Sequence, residues 1–356
     1  MSRVMIMAGG TGGHIMPALA VAEELRSRGV DIVWLGNRDG LEAKLVSRAG
    51  IDLEAIRIRG IRKSGILRKL MAPLQIFIAT LQSIWAIVKR RPAAVLGMGG
   101  FVSGPGGLAG RMLGKPLLLH EQNAVAGITN RMLSKLTRHV LLGFPVSQGL
   151  QSAEWVGNPV RKDIASLPVP EQRLSRTGSD FRVLVIGGSQ GAEVFNKHLP
   201  ELLSRKSFHK LDVWHQCGRH ESATIGDRYL KYDISCQVND FIDDMAAAYA
   251  WADVVICRAG AMTVSEVCAA GAVAILVPYP YAVGDHQLKN ANFLLSRSAA
   301  LVVEQQEFLL GGWLEDLDRL ARDRSRLVKM ATAARRLSRP DAARLVADKC
   351  LELINA

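Results

Sequence analysis

Residues 3 to 14 read Arg3-Val-Met-Ile-Met-Ala-Gly-Gly-Thr-Gly-Gly-His14, and a helical pattern follows from Pro17. A strand, a glycine loop and a helix N-terminus in this order present backbone N–H groups to an anion, usually a phosphate. The dinucleotide fingerprint is absent, because Ile15 stands where a G-x-G-x-x-G run from Gly10 needs its third glycine, and no acidic residue closes the strand at 31–38. The stretch therefore predicts a phosphate loop; the alternative is an ordinary tight turn.

Length and composition indicate a globular protein of about two domains. The 356 residues are 49% hydrophobic and 22% charged, and the net charge of +12 favours an anionic partner. Aromatic residues are sparse and no RNA- or DNA-binding motif occurs, so nucleic acid is not an expected partner. The five cysteines form no C-x-x-C pair and are expected to be reduced thiols of a cytoplasmic protein. The N-terminus enters a strand directly, and no signal peptide is expected.

The beginning of the chain recurs in its second half. Residues 182–191, Arg182-Val-Leu-Val-Ile-Gly-Gly-Ser-Gln-Gly191, repeat the first strand and glycine turn, and the strand at 253–257 corresponds to the one at 93–96. Strands that alternate with helices predict a parallel, doubly wound sheet. We therefore predict an α/β fold of two such domains, joined around 145–181 and facing each other across a cleft that holds a substrate pair.

Polar and glycine-rich residues follow two further strands of the first half. The run Gly97-Met-Gly-Gly-Phe-Val-Ser-Gly-Pro-Gly-Gly107 precedes a helix predicted from about Leu108, and the cluster His120-Glu-Gln-Asn123 ends a strand that begins at Pro116. Open α/β sheets bind their ligands at the carboxyl ends of strands. The pattern therefore predicts a site at this edge.

The stretch Gly260-Ala-Met-Thr-Val-Ser-Glu266 opens a helix in the second half. Serine and threonine at a helix start can cap the helix or donate to a phosphate, and the helix N-terminus attracts negative charge. Glu266, one turn further on, can accept both hydroxyls of a ribose; the alternative is that it only complements the helix dipole.

Ser189 has two interpretations. Gly187-Gly-Ser-Gln-Gly191 satisfies the G-x-S-x-G nucleophile elbow, and Asp253 and His286 follow in the order of an α/β-hydrolase triad. The first half, however, has Thr11-Gly-Gly at the matching turn without triad partners. One loop type used twice favours phosphate binding over a nucleophile.

His14 is the general-base candidate of the first half, because imidazole titrates near neutral pH; otherwise it is a polar residue near a helix cap. No metal site is predicted, since Asp316-Leu-Asp318 lies in the pattern of a solvated helix face. The charge of a phosphate leaving group must then be met by helix N-termini, backbone N–H groups and arginines such as Arg161 or Arg258.

The segment from Leu70 to Val88 carries no charge and has basic residues on both sides, including Arg68-Lys69 and Lys89-Arg90-Arg91. Its length permits a membrane span, but its pattern is amphipathic, with small and polar residues opposite a face of large apolar ones. That face comprises Leu70, Leu74, Phe77, Ile78, Leu81, Trp85 and Val88. The segment is therefore either a surface helix that docks on anionic headgroups or a buried core helix.

Taken together, these stretches resemble the MurG family of bacterial GT-B glycosyltransferases. The resemblance is carried by Gly9-Gly-Thr-Gly-Gly-His14, Gly97-Met-Gly-Gly, Ser103-Gly-Pro105, His120-Glu-Gln-Asn123, Gly157-Asn-Pro-Val-Arg161, Gly187-Gly-Ser-Gln-Gly191 and Ala261-Met-Thr-Val-Ser-Glu266, in register to about residue 300. It implies an inverting enzyme without a cofactor. Such an enzyme moves N-acetylglucosamine from UDP-GlcNAc to the C4 hydroxyl of the MurNAc of lipid I, and so makes lipid II for peptidoglycan through an oxocarbenium-like transition state.

The resemblance also implies which segments of the chain bind each substrate. Residues 1–160 would bind the acceptor and the membrane, 161–340 would bind UDP-GlcNAc, and a helix at 341–356 would return to the first domain. The donor-binding residues would be Thr11, Gly12, Gly13, Asn123, Arg161, Ser189, Ile242, Ala261, Met262, Thr263, Val264, Ser265, Glu266 and Gln287. Among these, Ser189 and 261–265 would hold the diphosphate, Glu266 the ribose, and the backbone of Ile242 the uracil.

For the acceptor side, the resemblance implies a diphosphate site at Gly10, Gly99, Gly100, Ser103 and Gly104. His14 and Glu121 are the two candidates for the catalytic base. The membrane contacts would be Phe77, Leu81, Trp85, Lys89 and Arg90. They would place the protein peripherally, on anionic lipids of the cytoplasmic face of the bacterial inner membrane.

Two positions depart from the family pattern. Phe101 stands where a tyrosine is common, so a hydroxyl there cannot be essential. Leu288 stands where some members have a second glutamine, so Gln287 would act alone. A UDP-GlcNAc 2-epimerase and a non-catalytic nucleotide-sugar or membrane-binding protein remain alternatives.

Overall fold

A computed structural model of the chain describes residues 2–58, 71–146, 149–150, 153–175, 180–188, 191–206, 210–218 and 221–356. The chain forms two compact units. The first comprises Met1–Arg161 and Arg339–Ala356, and the second comprises Lys162–Ser338.

The described part of the first unit contains one parallel sheet of seven strands in the order β3-β2-β1-β4-β5-β6-β7. Its strands are β1 Arg3–Met7, β2 Asp31–Gly36, β3 Asp52–Ala55, β4 Ala94–Gly97, β5 Leu117–Glu121, β6 Val140–Leu142 and β7 Glu154–Trp155. Its helices before residue 162 are α1 Gly12–Ser27, α2 Leu41–Arg48, α3 Ala72–Arg90, α4 Ser103–Met112 and α5 Ile128–Leu133.

The described part of the second unit contains a parallel sheet of six strands in the order β10-β9-β8-β11-β12-β13. Its strands are β8 Phe181–Ile186, β9 Leu211–Gln216, β10 Ser235–Asn239, β11 Val254–Cys257, β12 Val273–Leu276 and β13 Ala300–Val302. Its helices are α6 Lys162–Ala165, α7 Pro170–Arg173, α8 Glu193–Ser204, α9 Ser222–Leu230, α10 Met245–Trp251, α11 Ala261–Ala270, α12 His286–Leu295, α13 Gln305–Leu310, α14 Leu314–Arg322 and α15 Arg324–Arg336. The last helix, α16 Ala342–Asn355, belongs to the first unit.

The two sheets repeat one topology. Strands β8, β9, β10, β11, β12 and β13 occupy the places of β1, β2, β3, β4, β5 and β6. In each unit the first strand pairs with two parallel neighbours, β1 with β2 and β4, and β8 with β9 and β11. The predicted pair of doubly wound parallel domains is confirmed.

Both faces of each sheet are covered, which explains why the strands are almost uniformly apolar. In β1, Val4 and Ile6 belong to the core cluster on one face, and Met5 and Met7 belong to the cluster on the other. The polar and glycine-rich loops at the carboxyl ends of these strands are therefore attached to a fully packed layer.

The second half of the glycine-rich run after β4, from Ser103 to Gly107, is helical. The sequence predicts a helix from about Leu108, but α4 begins at Ser103. Glycines inside it let its backbone approach the neighbouring elements. A Cβ at Gly107 would lie 2.8 Å from Leu133, and one at Gly110 would lie 2.8 Å from Val95. The prediction of this helix start was wrong because glycine serves close packing here instead of a loop.

Helix α3 exposes its large apolar side chains and buries its small ones. Phe77 and Trp85 are 60% and 61% exposed, whereas Ala79 and Ala86 are buried against the sheet. Among the described residues, this helix is long and apolar enough to cross a membrane by length and composition, although 33% of its most apolar window is buried. Leu70 and the basic pair at 68–69 lie outside the described residues. The interpretation of α3 as a buried core helix is wrong for its large apolar face.

Candidate functional site

The first glycine loop joins β1 to α1. Gly10 has a φ of +91°, which suits glycine, and the helix starts at Gly12, so that His14 lies in its first turn and not before it. A Cβ added at Gly12 would meet no atom within 4 Å. Since the first amides of a helix have no intrahelical acceptor, Gly12 and Gly13 offer N–H groups to an anion in open space.

A buried carboxylate lies beneath this loop, and sequence reasoning missed it. Glu42 of α2 has no exposed surface. Its Oε2 accepts from the N–H of Gly10 at 3.3 Å, and its Oε1 accepts from the N–H of Asn37 at 3.0 Å. An acidic residue in the first turn of a helix is ordinary, so the sequence carries no distinctive signal. Because the N–H of Gly10 already has an acceptor, anion binding at this loop depends on the amides at Gly12 and Gly13.

His14 is joined to the polar cluster at the end of β5. Its Nδ1 lies 2.9 Å from Oε1 of Gln122, and Nε2 of Gln122 lies 3.1 Å from Nδ1 of His120. Nε2 of His120 lies 2.9 Å from the backbone oxygen of Gly157. The sequence places 120–123 at a strand end but assigns no role to Gln122 or His120, because pairing with His14 depends on the β1–β4–β5 neighbourhood.

Glu121 is buried and fully engaged by the protein. Its Oε1 accepts from the backbone N–H of Asn123 at 3.0 Å and from the Asn123 amide at 3.2 Å. Its Oε2 accepts from the N–H of Gly127 at 3.0 Å and from the side chain of Asn130 at 2.9 Å. Two carboxylate oxygens have about four lone-pair positions, and four donors occupy them. Glu121 thus holds the loop between β5 and α5.

The second glycine loop is held down by Ser103. Its fully buried hydroxyl lies 2.7 Å from the backbone oxygens of both Met7 and Gly99. Gly99 and Gly100 have φ values of +91° and +79°. Ser103 and Gly99 are buried, whereas Gly100 and Gly104 are partly exposed. Of the predicted diphosphate residues in this loop, only Gly100 and Gly104 therefore present backbone to a ligand.

In the second unit, α11 begins after Gly260, which is extended and half-buried. Its buried positions in the predicted diphosphate stretch are Ala261, Met262 and Val264, while Thr263 and Ser265 are partly exposed. Oγ of Ser265 donates to the carbonyl of Ala261 at 2.9 Å. The first backbone amides of this helix and the hydroxyl of Thr263 are the donors that the geometry offers to a phosphate.

Glu266 has a partner that the sequence does not reveal. The hydroxyl of Tyr249, on α10, donates to its Oε2 at 3.3 Å. The backbone of Ile242 follows Phe241, whose ring is 55% exposed, while the side chain of Ile242 is buried. Oε1 of Gln287 accepts from the N–H of Tyr279 at 2.9 Å, which turns its amide nitrogen toward other acceptors.

The remaining predicted donor residues divide between the units. Thr11, Gly12, Gly13, Asn123 and Arg161 belong to the first unit. Ser189 lies outside the described residues.

Arg258, the other arginine considered for phosphate charge, has a structural role. Its guanidinium donates to the carbonyl of Val277 at 3.2 Å and to Gln305 at 2.7 Å, and it lies over the ring of Tyr279 at 5.4 Å. Burial lowers its pKa from the ordinary value.

The positions of Asp253 and His286 exclude the hydrolase interpretation, because they lie at opposite ends of the strands. Asp253 precedes β11 and accepts from the N–H of Arg182, at the start of β8, at 2.9 Å. It also forms an ion pair with Arg324. His286 follows β12 and therefore lies at the carboxyl end of the strands, whereas Asp253 lies at their amino end. A strand of four residues spans roughly 13 Å, so Asp253 cannot orient His286.

The basic end of α3 is partly neutralised. Lys89 and Arg90 both contact Glu54, at 2.9 and 2.5 Å, and Arg90 also pairs with Asp52 at 2.8 Å. Burial acts to raise the pKa of Glu54, but hydrogen bonds from Lys89 and Arg90 outweigh it and lower that pKa. The ammonium of Lys89 lies 4.7 Å from the ring centre of Trp85. Most of the charge on these two cations is therefore balanced by β3.

Two family comparisons cover most of the chain. Residues 4–142 match the glycosyltransferase family 28 N-terminal domain, and residues 182–346 match the glycosyltransferase family 28 C-terminal domain. Two curated relatives are named UDP-N-acetylglucosamine--N-acetylmuramyl-(pentapeptide) pyrophosphoryl-undecaprenol N-acetylglucosamine transferase. The one from Nitrosococcus oceani is 48% identical over 99% of this chain and 98% of its own length. The one from Marinobacter nauticus is 47% identical over 99% and 98%.

Solved structures agree with the fold. MurG of Acinetobacter baumannii is 39% identical, with a TM-score of 0.84 over 99% of this chain and 100% of its own. UDP-GlcNAc 2-epimerase from Neisseria meningitidis has a TM-score of 0.67 over 99% and 100%, at 11% identity, and this similarity shows a shared fold alone.

Proposed function

The chain belongs to glycosyltransferase family 28, and we propose that it transfers N-acetylglucosamine from UDP-GlcNAc to lipid I, forming lipid II for peptidoglycan. The observation that carries this proposal is the 48% identity to the Nitrosococcus oceani transferase along nearly the full length of both proteins. The name of that relative specifies both the nucleotide-sugar donor and the polyprenyl acceptor. The matched region covers 99% of this chain and 98% of the relative.

The second unit supplies the main donor site in this proposal. The N-terminus of α11 carries partial positive charge that stabilises the diphosphate of UDP as it leaves. Glu266 binds the two ribose hydroxyls, with Tyr249 fixing one of its oxygens. The backbone of Ile242 binds uracil, and Gln287 binds a sugar hydroxyl through its amide nitrogen. Arg161 adds positive charge to the diphosphate during the reaction.

The first unit supplies the acceptor site. The acceptor diphosphate binds to the partly exposed backbone of Gly100 and Gly104 and to the first amides of α1 at Gly12 and Gly13. This assignment follows the donors that the two loops leave accessible, since Gly10 donates to Glu42 and Ser103 is occupied internally. In this proposal Gly12 and Gly13 bind the acceptor diphosphate, whereas the family resemblance assigns them to UDP-GlcNAc.

His14 is the proposed base, and Glu121 is its weaker rival. As the C4 hydroxyl of the acceptor attacks the anomeric carbon from the face opposite UDP, a base takes its proton and the configuration inverts from α to β. His14 lies partly exposed in the first turn of α1. Both oxygens of Glu121 accept protein donors, and removing its charge would break the loop that they hold. These contacts favour a supporting role for Glu121.

We further propose that α3 holds the protein on the membrane surface. Phe77, Leu81 and Trp85 are exposed on one face, while the opposite face packs in the first unit. An exposed apolar stripe of this kind inserts into the boundary between headgroups and acyl chains. The site would then meet an acceptor whose polyprenyl chain is in the bilayer, on the cytoplasmic leaflet where UDP-GlcNAc is available.

The proposal is tested by incubating the purified protein with UDP-GlcNAc, with and without a short-chain lipid I analogue, while following UDP release and the sugar product. Release that requires the analogue, together with a disaccharide product, supports the transferase. Formation of N-acetylmannosamine without acceptor would indicate an epimerase, and binding of UDP-GlcNAc without turnover would indicate a non-catalytic protein.

A further inference from the structure

A chain of hydrogen bonds connects a backbone carbonyl to His14 through two side chains. It runs from the carbonyl of Gly157 to Nε2 of His120 over 2.9 Å, and from Nδ1 of His120 to the amide nitrogen of Gln122 over 3.1 Å. It ends with the 2.9 Å between Oε1 of Gln122 and Nδ1 of His14. A carbonyl can only accept, so the direction of every bond follows from the Gly157 end.

The first step concerns His120. Because the carbonyl of Gly157 accepts, Nε2 of His120 carries a hydrogen. His120 is fully buried, and this burial lowers its pKa to about 4, so the ring is neutral near pH 7. A neutral imidazole has one ring hydrogen, and Nδ1 of His120 is therefore an acceptor.

The second step concerns the amide of Gln122. Because Nδ1 of His120 is an acceptor, the amide nitrogen of Gln122 must face it and donate. With the amide reversed, the lone pairs of the amide oxygen and of Nδ1 would face each other. The amide oxygen then faces His14. Nδ1 of His14 must donate to it, and the lone pair of neutral His14 is on Nε2.

We propose that His120 and Gln122 are positioning residues that hold His14 in the tautomer with its hydrogen on Nδ1, so that Nε2 receives the proton of the attacking hydroxyl. This inference rests on the proposed role of His14 as the base. The hydroxyl oxygen bonds to the anomeric carbon, the bond from that carbon to UDP breaks with its electron pair, and the hydroxyl proton moves to Nε2. The resulting imidazolium still donates from Nδ1 to Gln122 and returns its extra proton to solvent.

Neighbouring backbone makes room for this chain and supports it. A Cβ at Gly99 would lie 2.8 Å from Nδ1 of His14 and 3.4 Å from Oε1 of Gln122, so any side chain there would intrude on their hydrogen bond. The amide of Asn158 donates to the backbone oxygen of Gln122 at 3.0 Å. Gly157 has a φ of +91°, which suits glycine and directs its carbonyl at His120. Gly99 therefore has a role that does not depend on phosphate.

The test reads the tautomer directly. In protein labelled with ¹⁵N-histidine, two-bond and three-bond ¹H–¹⁵N correlations distinguish a protonated ring nitrogen from a bare one, and His14→Ala identifies the His14 signals. We expect protonated Nδ1 and bare Nε2 in the wild type. In Gln122→Met we expect the form with hydrogen on Nε2 to become populated and kcat to fall roughly 10–100-fold, as for other partners that orient a reactive imidazole. The KM for UDP-GlcNAc should stay unchanged.

Asn196→Leu is the matched control. Asn196 is a buried amide of the second unit that donates to the carbonyl of Cys217 at 2.9 Å, so its loss carries a similar stability penalty away from His14. It should leave both the His14 tautomer and kcat unchanged.

Hydrogen on Nε2 of His14 in the wild type would overturn the inference, as would a wild-type tautomer and kcat in Gln122→Met. If kcat fell equally in Gln122→Met and Asn196→Leu, the loss would reflect lower protein stability and not the tautomer of His14, and the inference would again be overturned. The wild-type spectrum needs no substitution and no substrate, so the inference remains testable if Gln122→Met does not fold. For the same reason, a failure to transfer sugar to lipid I would reject the proposed function separately.

Discussion

The hydroxyl of Tyr249 donates to Oε2 of Glu266 across 3.3 Å and ties one oxygen of a partly exposed carboxylate to the buried side of α10. Tyr249 itself has no exposed surface. The position of Glu266 is therefore set before a ligand arrives. Such preorganisation reduces the ordering cost of binding.

Glu266→Ala should raise the KM for UDP-GlcNAc strongly while the fold survives. Loss of a carboxylate shared by two hydroxyls costs roughly 2–4 kcal/mol for charge-assisted bonds in a closed site. Tyr249→Phe should weaken donor binding less, since it removes only the orienting bond. Calorimetric titration with UDP measures both effects. A Glu266→Ala protein with wild-type affinity would remove Glu266 from the donor site.

His14→Ala should lower kcat by about 10²-fold or more, the usual contribution of a general base, with little change in donor affinity. A general base must be unprotonated to accept a proton, so acidification should lower the wild-type rate, and the variant should lose this acidic limb. The measurement is the pH profile of steady-state transfer to a soluble acceptor.

Glu121→Gln is the comparison for His14→Ala. It places an amide group where four donors converge, so we expect a lower unfolding temperature and a smaller effect on the pH profile. If His14→Ala keeps its kcat and acidic limb while Glu121→Gln loses both without loss of stability, Glu121 is the base.

Replacing Phe77 and Trp85 by serine should weaken binding to anionic lipid vesicles roughly tenfold or more, because each large apolar side chain contributes about 1.5–3 kcal/mol when it leaves water. Turnover of a soluble acceptor should be unchanged, since both side chains are exposed. Vesicle sedimentation together with the soluble assay tests the two halves of this prediction. Unchanged sedimentation would exclude α3 as the contact.

Substitutions of the cations at the end of α3 should differ in their effects on stability and on vesicle binding. Lys89 and Arg90 balance Glu54, so replacing both by glutamine should lower stability more than it lowers vesicle binding. Arg91 is exposed and ends α3 in a left-handed conformation. Among the described residues it forms no ion pair, so Arg91→Gln should lower vesicle binding without loss of stability. Equal effects of the two variants on vesicle binding would contradict this assignment.

The stability of the second unit should fall on acidification because of His215. Burial lowers the pKa of this histidine to about 3, while the unfolded chain titrates near 6.5. Between these values the unfolded state binds more protons, so the free energy of unfolding falls as pH falls, by about 2 kcal/mol from pH 6.5 to 5. Urea unfolding of the wild type and His215→Gln over this range measures the difference. Equal pH dependence in the two proteins would contradict it.

The sequence predicts the architecture well because the architecture is local and repeated. Apolar runs of four to six residues followed by glycine and a helix occur in both halves, and the structure has the same strand order in each unit. The start of α4 was the clear failure. Residues 103–107 contain three glycines and a proline, which indicate a loop on propensity alone. They are nevertheless helical, and the missing side chains at Gly106 and Gly107 permit close packing against Met7 and Leu133.

What the sequence determined by itself is which chemical groups lie at the carboxyl ends of the strands, because strand, turn and helix are contiguous in the chain. What only the tertiary structure decided is which of those groups remain free to act. Glu42 takes the N–H of Gly10, four donors occupy Glu121, and Gln122 reaches His14 from 108 residues away. Hydrogen-bond partners are assigned by proximity in space, and residues so far apart in the chain meet only when the parallel sheet sets their strands side by side.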